Sequence, residues 1–459
     1  MKHNSSIPFV NSGSYPVRTG NFVRPLIDGL PAFRRICEAI EAANNSVWVT
    51  VTFMWESFKM PDARGTTLDV LERAAARDVD VKLIFWRPDA QTEDLKRNTF
   101  WGSEEHFEEL EQRQSGFQIR WDRAYPGFCQ HQKSWLIDAG SENELAFVGG
   151  INLNPHSMVA PGHYGEGQNH DASLELMGPS TVDVHHNFVQ RWNEASERFS
   201  KDGRWGKNSE TNLPFPVRVP AEQGNTIVQI QRTIHPDRYT DGRSTPKGAS
   251  FDIALGERTI FNQYCAAIGA AQRSIYIENQ QVDVPEILNC LRQALQRGVE
   301  IVLLMPTKPF LDVTATQEYQ ANLEARANLG AYKNFTLAGI AGIGASGQHK
   351  PVYVHSKLML IDDVWATLGS CNLHRFSLFG NTEMNVTFFN PQGVRALRCE
   401  LFQEHLGHDT SDMDDRAALQ FFRKVAQENR RRFDSSNHEW QGLAFSLAQS
   451  TTGIDTATI

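Results

Sequence analysis

Two stretches of the chain carry the same reactive residue types at the same spacing: His131-Gln-Lys133-Ser-Trp-Leu-Ile-Asp138 and His355-Ser-Lys357-Leu-Met-Leu-Ile-Asp362. Alternation along an extended strand puts the His and the Lys of each copy on one face, so an imidazole and an ammonium enter a common site. After a further apolar run each copy reaches a glycine turn that ends in asparagine, Gly149-Gly150-Ile-Asn152 and Gly369-Ser370-Cys-Asn372. Glycine lets the backbone turn tightly and approach a ligand, and Asn offers an amide donor. Two imidazoles, two ammonium groups and two amides converging across a pseudo-twofold axis suit phosphoryl transfer, which is mostly positioning plus stabilisation of charge on phosphate oxygens. One His must be neutral to attack, and the other must hold a proton for the leaving oxygen. The pair titrates as a unit.

Each His also needs a partner on its second ring nitrogen, and Asp171 and Glu383, which follow the two Asn turns, are the candidates. Asp138 and Asp362 complete the motif and count with its catalytic set of His131, Lys133, His355 and Lys357. An Asp at a strand end most often satisfies backbone donors in a turn, so a bracing role is the favoured reading of both. His163, His170 and His374 have no such pairing and stay unassigned.

The elements that position these residues repeat as well. Leu30 to Ala43 has the i, i+3, i+4, i+7 apolar stripe of a helix, and Ser46 to Phe53 is a β-branched and aromatic strand. A helix from Thr67 to Arg77 and a strand from Val79 to Phe85 follow. The second half repeats the order with Thr259 to Ala271, Ser274 to Glu278, Val284 to Arg297 and Val299 to Met305, which predicts parallel pairing in both halves. Ser200 to Pro216, rich in turn formers, reads as a linker with the boundary near residue 210, giving lobes 1–209 and 210–459. Ser450 to Ile459 reads as a disordered tail. Ala338 to Gly347 reads as a Gly-rich apolar loop beside the second motif.

The chain has 459 residues, 40% of them hydrophobic and 22% charged, as in an ordinary soluble protein. A net charge of -9 and no basic stripe argue against nucleic acid as a partner. No apolar run reaches the roughly 18 residues of a spanning helix and no signal peptide is read, so the expected placement is cytoplasmic, at most peripheral to a membrane. Six scattered cysteines form neither a disulfide framework nor a zinc pattern.

The paired motifs resemble those of the phospholipase D superfamily. Ala146 to Leu153, His170-Asp171 with Gly178-Pro179, Phe188 to Asn193 and Ile275 to Gln280 look like its phospholipase D branch. The resemblance implies an α/β fold of two pseudo-twofold lobes, each a mixed sheet flanked by helices, with the site at their interface. It implies a phosphohistidine intermediate, no required metal and no cofactor, with His131 as nucleophile and His355 as acid, then base. Lys133, Lys357, Asn152 and Asn372 would hold the phosphate oxygens with Ser370 nearby, and Asp171 and Glu383 would orient the His pair. The expected substrate is a glycerophospholipid at a membrane surface, cleaved to phosphatidic acid and alcohol, with transfer to other alcohols. The alternatives are a cardiolipin synthase-like phosphatidyl transferase and a nuclease-type phosphodiesterase. Both motifs lie in one chain, so a monomer is favoured.

Overall fold

A computed structural model describes residues 7–447 except 97, 114–115, 166, 199–211, 308–323 and 346, together with 449–450 and 453–454. Most of the expected linker, and the boundary near residue 210, lie outside the described residues. In the tail, Gln449–Ser450 pairs with Gly453–Ile454, and the other residues beyond Ser450 lie outside.

The first half builds one mixed sheet from β1 (Arg18–Ile27), β2 (Ser46–Val51), β3 (Asp80–Trp86), β4 (Gln118–Asp122), β5 (Ser134–Ile137), β6 (Leu145–Gly149) and β7 (Ala172–Met177). Its spatial order is β4-β3-β2-β5-β6-β7-β1. The first two pairings are parallel and the other four antiparallel. The second half builds β8 (Thr226–Ile234), β9 (Ser274–Glu278), β10 (Glu300–Leu304), β11 (Phe335–Ile343), β12 (His349–Val354), β13 (Leu358–Ile361), β14 (Trp365–Gly369) and β15 (Glu383–Phe389). Here β11-β10-β9-β13-β14-β15-β8 repeats the order and the pattern of direction. The edge strands β1 and β8 then pair antiparallel, Arg18 opposite Val228, and make one sheet of the two.

Helices follow from the stripes that demand burial. α1 (Gly29–Ala42) and α2 (Thr67–Ala75) cover the outer face of the first sheet, and Thr66 opens α2 with a reciprocal capping box to Asp69. α3 (Thr181–Asn193) is buried on every side, the mark of a core helix. One apolar core runs through both halves, with Leu136, Val148 and Val189 from the first and Val228, Leu368 and Val386 from the second. α4 (Pro391–Leu406) and α5 (Asp415–Asp434) close it through Phe402 and Phe422. Of the stretch Ala338 to Gly347, expected as a loop, residues 338–343 belong instead to the strand Phe335–Ile343, which is buried as far as Gly342. Its glycines are there for close approach: a Cβ on Gly342 would sit 2.0 Å from the His163 carbonyl oxygen.

Candidate active site

The His and Lys of each motif stand just ahead of β5 and β13, where backbone hydrogen bonds cross between the halves. The His131 N–H donates to the Thr382 carbonyl at 2.9 Å, and the His355 N–H donates to the His170 carbonyl at 2.8 Å. Lys133 and Lys357 then accept on their carbonyls from Gly149 and Gly369, at 3.3 and 3.2 Å. Gln132 points the other way and ties the motif to α3: its Oε1 accepts from Asn187 Nδ2 at 2.8 Å, and its Nε2 donates to the Glu383 carbonyl at 3.1 Å. His131 and Lys133 are thereby left on the opposite face.

Each imidazole is held by a carboxylate of the other half. His131 Nδ1 donates to Glu383 Oε2 at 2.9 Å, and His355 Nδ1 donates to Asp171 Oδ2 at 2.5 Å. Nδ1 is thus occupied in both, and Nε2 is the nitrogen left for a substrate. Lys133 Nζ donates to the His131 carbonyl at 2.8 Å, and Lys357 Nζ donates to the His355 carbonyl and to Gln280 Oε1. Asn152 and Asn372 are buried, each with an Oδ1 that has no hydrogen-bond partner. The turns before them need glycine, since a Cβ on Gly149 or Gly369 would sit 2.3 Å from the side chain of Ser173 or Asn385.

The electrostatics show that the two halves share one site. Burial and the Lys357 and Lys133 charges push His355 down to about 4, against the pull of Asp171. His131 is lowered by burial and by Lys133 and Lys357, with Glu383 opposing. Burial brings Lys133 down to about 8 and Lys357 to about 7. Burial would raise Asp171 and Glu383, but His355 and His131 more than offset it and both carboxyls fall below their usual range. Burial and the mutual repulsion of the two Lys and two His disfavour their protonated forms, and a phosphate anion bound among them would favour those forms again.

The place of Asp138 and Asp362 in the catalytic set and the phosphate-side place of Ser370 are corrected, while the bracing role favoured for the two Asp is the one their contacts have. Asp138 and Asp362 are not among the groups that converge here. Asp138 accepts from the Asn44, Asn45 and Ser46 N–H groups at 3.0, 2.7 and 3.2 Å, and Asp362 accepts from Gln272, Arg273 and Ser274 at 2.9, 2.8 and 2.9 Å. Their carboxylates fasten the entry of β2 and β9, which removes them from the catalytic set. Ser370 is not free for phosphate, because its hydroxyl donates to Glu383 Oε2 at 2.6 Å and its carbonyl accepts from His131 Nδ1 at 3.1 Å. It helps to position His131.

Sequence reasoning left out Gln280, on the stretch after β9, although it falls inside a quoted stretch. His374, unassigned before, is half-buried near Glu383 and His131, and burial holds it down at about 4. Phe53 packs its ring 6.3 Å from that of His131.

The duplicated sheet and the exchanged His–carboxylate pairs define a two-motif α/β protein of the phospholipase D superfamily. Residues 36–192 and 264–405 match the family described as "Cardiolipin synthase, PLD-like domain", and the chain belongs to it. It is similar to Cardiolipin synthase 1 of Staphylococcus epidermidis (strain ATCC 12228 / FDA PCI 1200), 22% identical over 381 residues, covering 81% of this chain and 65% of that protein. Cardiolipin synthase B of Escherichia coli (strain K12) is 26% identical over 395 residues, covering 84% and 80%. Phospholipase D alpha 2 of Oryza sativa subsp. japonica is 23% identical over 545 residues, covering 88% and 66%. The chain spans 51% to 66% of the length of the first relatives it matches. The crystal structure of phosphatidylserine synthase from Haemophilus influenzae Rd KW20 shares the fold, with a TM-score of 0.54, 13% identity and coverage of 90% and 94%. No helix among the described residues is long and apolar enough to cross a membrane.

Proposed function

We propose that the protein transfers a phosphatidyl group from one alcohol to another, as a cardiolipin synthase-type transferase with water as a competing acceptor. The observation that carries the chemistry is the exchanged pairing: two imidazoles, each fixed at Nδ1 by a carboxylate of the opposite half, with a Lys beside each. His131 Nε2 attacks phosphorus and forms a P–N bond as the P–O bond to the first alcohol breaks. His355 gives that oxygen its proton, and the diester's negative charge raises the pKa of His355 on binding, so the proton is in place when needed. His355 then takes the proton of the incoming hydroxyl, whose oxygen displaces His131. Lys133, Lys357, Asn152 and Asn372 hold the non-bridging oxygens. The reaction draws on no redox partner, and atoms balance between the two alcohols.

Hydrolysis to phosphatidic acid, put first from the sequence alone, becomes the second reading, because most of the similar proteins carry the name cardiolipin synthase. Phospholipase D alpha 2 supports the hydrolytic reading. The two separate in one experiment: phosphatidylglycerol vesicles with a little ethanol, products read by mass spectrometry. Cardiolipin and phosphatidylethanol, both lost in His131→Ala, are the expected result. Phosphatidic acid alone would favour hydrolysis, and no lipid turnover would overturn both readings.

A further inference from the structure

Beside the His355 pair lies a second group of buried side chains that the transfer chemistry does not use. Asp28 directly follows β1, His163 and His170 lie on the excursion between β6 and β7, and Glu404 projects from α4. Their side chains are 0%, 0%, 0% and 7% exposed. His163 Nε2 is 3.3 Å from Asp28 Oδ2, 3.3 Å from Glu404 Oε1 and 3.4 Å from His170 Nδ1. One ligand atom from each of the four lies within 4.8 Å of all the others.

We propose that these four residues bind a divalent transition-metal ion, zinc in the first place, which clamps the two halves together beneath the Asp171–His355 pair. Tetrahedral zinc with bonds of about 2.0–2.1 Å places its ligand atoms about 3.3–3.4 Å apart, which is the spacing found around His163 Nε2. Two imidazoles and two carboxylates are a donor set zinc accepts, whereas calcium and magnesium want more oxygens.

The groups behind His170 fit as well. With the ion on His170 Nδ1, its Nε2–H donates to Glu278 Oε2 at 3.1 Å, and Glu278 Oε1 accepts from the Tyr276 hydroxyl at 2.8 Å. A carboxylate behind a ligating imidazole fixes its tautomer and raises its basicity. The other occupant of this position is a proton on His170, donated to Asp28 Oδ1 at 3.0 Å. That proton leaves Asp28 Oδ2, fully buried, without a hydrogen-bond partner. An ion at the common centre satisfies it.

The consequence reaches the active site through backbone groups. Asp28 Oδ1 accepts from the Asp171 N–H at 3.2 Å, and the His170 carbonyl accepts from the His355 N–H at 2.8 Å. Ligands come from both halves, since Glu404 belongs to the second and the other three to the first. The ion therefore stabilises their association by mass action.

The test uses the full chain and the metal alone. Protein made in zinc-replete medium and desalted should carry about one zinc per chain by elemental mass spectrometry. After chelator treatment, added Co²⁺ should give the intense visible bands of a four-coordinate ion, and Zn²⁺ should abolish them and raise the melting temperature. His163→Gln and Glu404→Gln should each weaken uptake by at least about 10-fold. Folded, chelator-treated wild type that takes up neither ion at tens of micromolar would overturn the proposal, and this arm does not depend on any variant folding. Wild-type uptake in both folded variants would overturn it too, by placing the ion elsewhere.

Discussion

Lys133 and Lys357 set the terms of both stability and binding. Burial holds these amines to about 8 and about 7, whereas in the unfolded chain a lysine titrates near about 10.4. Between pH 7 and 10 the unfolded chain therefore binds more protons than the fold, and the contribution of this pair to stability rises with pH across that window. Lys357→Met removes a charge whose burial works against folding, so the variant is expected to be more stable than wild type at pH 7 by about 1–3 kcal/mol, with the gap closing toward pH 10 in urea unfolding curves. Lower stability of the variant at pH 7 would refute this. Under the proposed role of these amines in holding phosphate oxygens, inorganic phosphate should raise the wild-type melting temperature at pH 6 and lose most of that effect by pH 9. An effect equal at both pH values would take the lysines out of contact with the anion. At this scale much was legible: spacing singled out the His, Lys and Asn residues, and Asp171 and Glu383 were candidates from their place after the Asn turns and from the family resemblance. The place of Ser370 was not legible, because its hydroxyl meets a carboxylate thirteen residues on, across the β14–β15 pair.

Elements, more than single contacts, explain why the motif ends in Asp. Asp138 and Asp362 both adopt positive φ, 53° and 56°, and each gathers three backbone N–H groups from the segment entering β2 or β9. Asp138→Ala loses those acceptors and places a β-carbon in the left-handed region, so about 2–4 kcal/mol of stability should go while the kcat of the folded fraction stays within about 3-fold of wild type. Asp138→Asn, which tolerates that backbone and keeps one acceptor, should fall between. A stable Asp138→Asn with kcat as low as His131→Ala would return the residue to the catalytic set. The two helix–strand pairs read ahead of each motif were legible from apolar periodicity, to within about two residues at their ends, whereas β1, β4, β8 and the helix Glu104–Arg113 were not read. β11 was not, because Gly339 and Gly342 dilute its apolar alternation. Those glycines serve Leu447 and the His163 loop, partners that local sequence does not reveal.

On the scale of the whole molecule, the exchange of carboxylates makes the two halves a single catalytic unit. The repeat announced a pseudo-twofold architecture, but spacing cannot say whether an acid serves the His of its own half, since both pairs span long sequence separations: Glu383 reaches His131, and Asp171 reaches His355. The crossing gives the two acids different kinetic signatures under the proposed order of attack. Glu383 orients the attacking imidazole, so Glu383→Gln should slow formation of the phosphoryl adduct, and none should accumulate. Asp171 orients His355, the acid of the first step and the base of the second, so with a p-nitrophenyl-type diester, whose leaving group needs no proton, Asp171→Asn should slow resolution alone and leave the adduct on His131. Both should cost about 10²–10⁴-fold in steady-state turnover, and only the quenched intact mass tells them apart. An adduct that accumulates in Glu383→Gln and not in Asp171→Asn would reverse the roles of the two His while leaving the exchanged geometry intact. Equal behaviour of the two variants would mean that one step limits both, and ethanol concentration then separates them: a better acceptor speeds only resolution, so it rescues an enzyme slow at that step and does nothing for one slow to form the adduct.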